Sequence, residues 1–142
     1  MRRVNSILAI CTMALALTVS VSAHAQSLRE AREREAEEAA LNTEIAYTQT
    51  VCSSSISASI DRSSLSNWPA DKSLVASCDG ALGAIEAICR RDGAAKVQSI
   101  KRFVCAGDSA GPSLRGGVLR YGAAPGKNSF NETDAFLTKT LK

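Results

Sequence analysis

The sequence predicts an α+β fold: a small mixed sheet of about four strands with a crossover helix packed on it, flanked by N- and C-terminal helices and stabilised by disulfides. Three observations carry this expectation. Leu74, Cys78, Ala81, Leu82, Ile85, Ile88 and Cys89 share one face at helical spacing. Two stretches with strand character, Cys52–Asp61 and Ser99–Ala106, bracket that helix. Four cysteines, Cys52, Cys78, Cys89 and Cys105, fall in these three segments, and an even number is what a disulfide framework requires.

The first residues read as an address. Arg2 and Arg3 make a positive start, Ile7–Val21 is apolar and uncharged, and Ala23-His24-Ala25 is a small-residue cleavage motif. Those three parts in that order define a secretory signal peptide. The apolar run is shorter than the about 20 residues a spanning helix needs, so no membrane span is expected after cleavage. The predicted organisation is therefore a cleaved segment 1–25, a charged helix 26–50 and a disulfide-stabilised domain 51–142. Cleavage leaves 117 residues, enough for one domain with a modest core. It lowers the formal charge from +3 to +1 and removes Cys11 and His24, the only histidine. The expected location is the periplasm or the cell exterior.

Ser27 and Glu30 have the spacing of a capping box, which predicts a helix from there to about Thr48. Arg29–Glu38 holds eight charged residues, with Arg29/Glu33, Glu30/Arg34 and Arg34/Glu38 as opposite pairs four apart. Apolar residues come later, at Leu41 and Ile45, so the helix is expected to project at its start and dock at its end. Glu35 and Glu38 interrupt any heptad seam, which leaves a solvated spacer.

Cys52–Asp61 alternates Ile56, Ala58 and Ile60 with serines and reads as a strand with one buried face. Residues 62–71 carry the breakers of a loop, with the single tryptophan, Trp68, as a cap on the core. The central helix follows. Gly80 and Gly83 weaken it by about 1 kcal/mol each relative to alanine and suit close packing on a sheet. Asp92-Gly93 ends it, a short turn covers 94–98, and Ser99–Ala106 is the second strand. Gly116-Gly117 between short apolar runs signals a two-residue hairpin, so 99–106, 113–115 and 118–122 are expected to form an antiparallel meander. Asn131 is placed as the cap of a last helix through Leu141. The Asn131-Glu132-Thr133 sequon is read as chance, because those residues start that helix.

A helix between two neighbouring strands makes them parallel. Such a helix runs back from the end of the first strand to the start of the second. That direction favours Cys52–Cys89 and Cys78–Cys105; if the strands are not neighbours, the alternative is the sequential pairing, Cys52–Cys78 with Cys89–Cys105. Cys78 and Cys89 lie about 16 Å apart along one helix, beyond the about 7 Å a disulfide spans. Gaps of 26, 11 and 16 residues do not match the close spacing of zinc ligands.

Without a histidine, a Ser-His-Asp triad, a His-activated thiol and a histidine metal site are excluded from the mature chain. No C-x-x-C motif and no phosphate-binding glycine loop occurs. No catalytic, cofactor or metal site is expected. Asp79 and Glu86, seven apart on one helical side, are the one pair for an alternative, a small hydrolase of an envelope polymer. Charge offers a different lead. Residues 26–50 sum to −3 and 51–142 to +4, with Arg90, Arg91, Lys96, Lys101 and Arg102 grouped in sequence. These form a candidate basic patch for an acidic polymer or an envelope protein. Nucleic acid is not expected, since the aromatic interleaving of single-strand readers is missing. The reading is an exported, disulfide-bonded protein with a binding or structural role.

Overall fold

The computed structural model describes the backbone from Leu15 to Lys142 and side chains from Ala25 onward. Arg2, Arg3, Cys11 and the start of the apolar run lie outside the described residues. The first helix, α1, spans Leu15–Cys52. No glycine or proline interrupts that stretch, so helix runs straight through Ser27 and the capping box starts nothing. The fold divides at Glu35 and Ala36 into two units. In the first, residues 25–35 are exposed and carry the expected pairs Arg29–Glu33, at 2.9 Å, and Arg34–Glu30, at 3.9 Å.

The second unit, Ala36–Lys142, holds the sheet. The end of α1 contributes Leu41, Ile45 and Cys52 to its core. The helix stops where Ser53 turns into left-handed backbone, φ 46°, and Ser54 N donates to Gln49 O at 3.1 Å, a Schellman-type end. Cys52 thus closes a helix; it does not open a strand as the alternation suggested. β1 is the shorter Ser57–Asp61, and β2 is Arg102–Ala106. β3 (Gly111–Arg115) and β4 (Val118–Gly122) are joined by Gly116-Gly117, both at positive φ, as a tight hairpin demands.

The strand order is β1-β2-β4-β3. β1 and β2 pair in parallel, as expected of a helical crossover. The antiparallel meander is corrected: β2 pairs with β4, in parallel, and β3 occupies the edge. One fact of the sequence and one of the packing explain this. Pro112 has no N–H and suits an edge strand, while Leu119 and Tyr121 of β4 are nearly inaccessible to solvent and belong in the middle.

The crossover helix, α2 (Leu74–Asp92), buries the whole predicted face, Leu74 through Cys89. Ser73 caps it by accepting from Ala76 N at 3.1 Å, and Glu37 of α1 accepts from Val75 N at 2.9 Å. α3 (Ser129–Thr140) begins one turn earlier than expected, because Asn128, not Asn131, caps it by accepting from Asn131 N. Gly80 faces α3 and not the sheet: a Cβ there would stand 2.5 Å from Ser129 Oγ and 2.8 Å from Phe130 N. α2 packs on β2 and α3 on β3, and the end of α1 joins the same buried core. Phe103, Cys105, Leu119 and Tyr121 fill the seam, and Tyr121 OH donates to Glu132 of α3 at 3.1 Å.

Two disulfides staple these layers, Cys52–Cys89 and Cys78–Cys105, with Cα separations of 5.3 and 5.9 Å. They are the pairs that the crossover direction favours. One ties the end of α1 to the end of α2, and the other ties the start of α2 to the end of β2.

Candidate functional site

The other side of the sheet is where side chains reach solvent. Register fixes what it displays, since residues paired across strands share a face. One row reads Ser57, Arg102, Val118, Arg115, and the next Ser59, Val104, Arg120, Ser113. Strands are spaced about 4.8 Å apart, so Arg102 and Arg115 sit about 10 Å apart. Both are exposed, and among the described residues neither meets a carboxylate. Lys101 is at the same end of the sheet. Its N–H donates to Gly117 O at 2.7 Å, and its stem lies alongside Gly117, 3.3 Å from where a Cβ would be.

The opposite end, where β1, β2 and β4 all finish, is more ordered in its polar contacts. Arg120 Nη2 meets Asp61 Oδ2 at 2.9 Å and Asp108 Oδ2 at 2.6 Å. The Ser63 hydroxyl and then Arg120 hold the Asp61 carboxyl below the usual range, and Arg120 does the same for Asp108. Ser64 bridges two segments, donating to Asp61 O at 2.6 Å and accepting from Gly107 N at 2.8 Å. Gly122 leaves room for the loop: a Cβ there would lie 2.2 Å from Asp108 Oδ1.

This scaffold surrounds a cavity of about 410 Å³, lined by residues of the 3₁₀ turn Arg62–Asn67, by Trp68, by Gly107–Ser109 and by Pro125. Trp68 is half-buried. Its Nε1 donates to Lys72 O at 2.8 Å, and a Cβ on Gly107 would stand 2.9 Å from its Cε3. Trp68 thus packs at an end of the core, as the sequence suggested, and also forms a wall. Ser109 holds left-handed backbone, φ 60°, a conformation that costs free energy for a residue with a side chain and clusters at functional sites.

The five cations of the predicted patch fall in two layers. Arg90 Nη2 contacts Tyr47 OH at 3.1 Å and Glu86 at 3.8 Å. Arg91 is held by Asp92, at 3.1 Å, and by Asp134 and Thr138, each at 3.3 Å. Lys96 lines a shallow depression with Asp92 and Leu137. These three belong to the helical side, whereas Arg102 is on the solvent side of the sheet and Lys101 just before it, at the end where β2 starts. Asp79 and Glu86 serve the seam between α1 and α2. Glu86 is 8% exposed and accepts from Thr48 Oγ1 at 2.8 Å. Asp79 and Glu86 are near Glu44, and burial, followed by these two neighbouring acids, raises the Glu44 pKa.

No protein-family model matches the chain, and neither does any curated protein or solved structure. The geometry alone must then carry the functional reading. Sequence reasoning missed Arg115 and Arg120. The signal was present: a two-residue turn at 116–117 makes 115 face 118, so 113, 115, 118 and 120 share a side. It missed the cavity because the cavity is assembled from three loops far apart in the chain. Among the described residues no helix is long and apolar enough to cross a membrane, and no cluster of three metal-ligating side chains occurs.

Proposed function

We propose that this is an exported, non-catalytic binding protein, and that its binding surface is the basic end of the uncovered sheet face. The partner is an anionic polysaccharide of the cell envelope. One observation carries the reading: Arg102 and Arg115, in one row of the sheet, stand exposed without a carboxylate among the described residues. Lys101 adds a third positive charge at the same end. Cations left unpaired at one end of a face attract a polyanion and raise its local concentration. The face offers Ser57, Ser59 and Ser113 hydroxyls beside the arginines, and no aromatic anchor of the kind that dominates protein–protein hot spots. That composition favours a carboxylated or sulfated glycan over an acidic protein. Arginine suits this role, since its planar fork matches carboxylate and sulfate geometry. Export fits two disulfides, which persist in oxidising compartments.

The test is retention on immobilised polygalacturonate as a function of salt. The double variant Arg102→Glu/Arg115→Glu is expected to elute at markedly lower salt, with a shallower salt dependence. Arg91→Gln, which removes a cation already neutralised by two acids, is expected to elute with wild type. Equal elution of the double variant and wild type would remove the sheet face as the site. Export is tested by fusing residues 1–30 to a reporter active only outside the cytoplasm; an inactive fusion overturns it.

A further inference from the structure

We infer that the cavity outside the carboxyl ends of β1, β2 and β4 binds a neutral sugar ring against Trp68. The inference rests on the cavity's own lining and not on the basic face. Position is the first support. Three parallel strands end here, and the segments that follow them supply the walls: the 3₁₀ turn after β1, Gly107–Ser109 after β2, and Pro125 after β4. In open sheets of parallel strands, ligands settle outside the carboxyl ends because the loops there diverge. The volume, about 410 Å³, is in the range of small-molecule sites.

The chemistry of the lining narrows the ligand. Among the described residues the Ser66 hydroxyl, the Asn67 amide and the Ser109 hydroxyl have no hydrogen-bond partner. Together they present donors and acceptors of both kinds without charge. The one charged side chain in the lining, Asp108, already carries Arg120 and a backbone bond from Ala110. An anion would meet that carboxylate and no free cation. A metal ion would find one carboxylate, already paired with an arginine. A purely apolar ligand would strip water from three polar groups and return nothing. What remains is a molecule with several hydroxyls and one apolar face, which is the description of a pyranose. Indole gives such a face a flat, polarisable surface.

The site is held open in advance. Ser64 pins the 3₁₀ turn to Gly107, Asp61 and Asp108 are clamped by one guanidinium, and the indole is fixed through Nε1. The walls therefore lose little freedom on binding, and the ordering cost falls on Ser66, Asn67 and Ser109.

Trp68 is the only tryptophan in the chain, so its fluorescence reports this site alone. The experiment titrates the oxidised full chain with glucose, galactose, mannose and N-acetylglucosamine, with glycerol as the control. At least one sugar is expected to give a saturable change with a dissociation constant in the millimolar range, while glycerol gives none. Asn67→Ala, at an exposed position that leaves the core intact, is expected to weaken that response about tenfold. Arg102→Glu/Arg115→Glu is expected to leave it unchanged, so failure of the basic face and failure of the cavity are separable. Flat titrations with all four sugars overturn the inference. So does a saturable response to a proline-rich peptide but to no sugar, or a sugar response that Asn67→Ala leaves intact.

Discussion

Gly80 and Gly83 lie three residues apart on α2, and alanine should act on them with opposite sign. Removing a glycine from a helix interior gains about 1 kcal/mol, because alanine loses less backbone freedom on folding. At Gly83 the new Cβ would stand 3.5 Å from Phe130 Cδ2, an ordinary contact. The gain survives there, and Gly83→Ala is expected to stabilise by about 0.5–1 kcal/mol. At Gly80 the same methyl would stand 2.5 Å from Ser129 Oγ and 2.8 Å from Phe130 N. The hydroxyl can rotate away, but the backbone nitrogen moves only if the start of α3 moves. That start is fixed by the Asn128 cap and by Arg91 reaching Asp134 at 3.3 Å. Overpacking of this kind costs about 1–3 kcal/mol, which exceeds the helix gain. Gly80→Ala is therefore expected to destabilise by about 1–2 kcal/mol, or roughly 4 °C in Tm per kcal/mol for a domain of this size. Urea unfolding of the oxidised protein, followed by far-ultraviolet circular dichroism, reads both values. A Gly80→Ala protein as stable as Gly83→Ala would mean that α3 does not approach α2 this closely.

The disulfides close loops of 37 and 27 residues, so replacing either pair by alanines should cost about 3–4 kcal/mol, measured by urea unfolding; a loss under 1 kcal/mol for both pairs would show that the staples are dispensable. Gly122→Ala would drive a Cβ to 2.2 Å from Asp108 Oδ1 and 2.6 Å from Ala110 N; a loss of about 1–3 kcal/mol is expected, together with a shifted Trp68 emission. Titration of stability with pH should show two opposite signs. Asp61 and Asp108 are lowered from 3.8, so their contribution is present above that value and lost as pH falls through their folded pKa values, whereas that of Glu44, raised from 4.5, is present below 4.5 and lost as pH rises. Glu44→Gln should accordingly raise the unfolding midpoint at pH 7 and leave it nearly unchanged at pH 4. Burial and then Glu132 push the Tyr121 phenol up to about 12, so an ultraviolet titration should show a phenol ionising there, with stability falling between its unfolded value of about 10 and that point.

Sequence alone determined whatever depends on neighbours along the chain. The periodicity from Leu74 to Cys89 fixed α2 and its buried face. Gly116-Gly117 fixed the hairpin. An even set of cysteines, with a helix too long for Cys78 to reach Cys89, left two pairings. The crossover direction favoured Cys52–Cys89 with Cys78–Cys105, and the tertiary pairing of β1 with β2 decided for it, even though Cys52 turned out to end a helix. Its distance from the strand start is only a few residues, so the pairing did not depend on which element held it. The fold class followed from those parts.

Tertiary structure decided what depends on which distant segments meet. Strand order was one such thing: β4 enters beside β2 because its Leu119 and Tyr121 need cover on the helical side, while Pro112 cannot donate in the middle of a sheet. Charge was another. Arg90 and Arg91 lie next to Arg102 in a linear reading, yet the sheet separates them, and Asp134, Tyr47 and Glu86 occupy the helical pair. Arg102 instead gains Arg115 as a companion. The cavity beside Trp68 exists only because three strands run the same way and end together. A hydrophobic period reports which face of an element is buried; it holds no information on which other element covers it, and sites are made at those junctions.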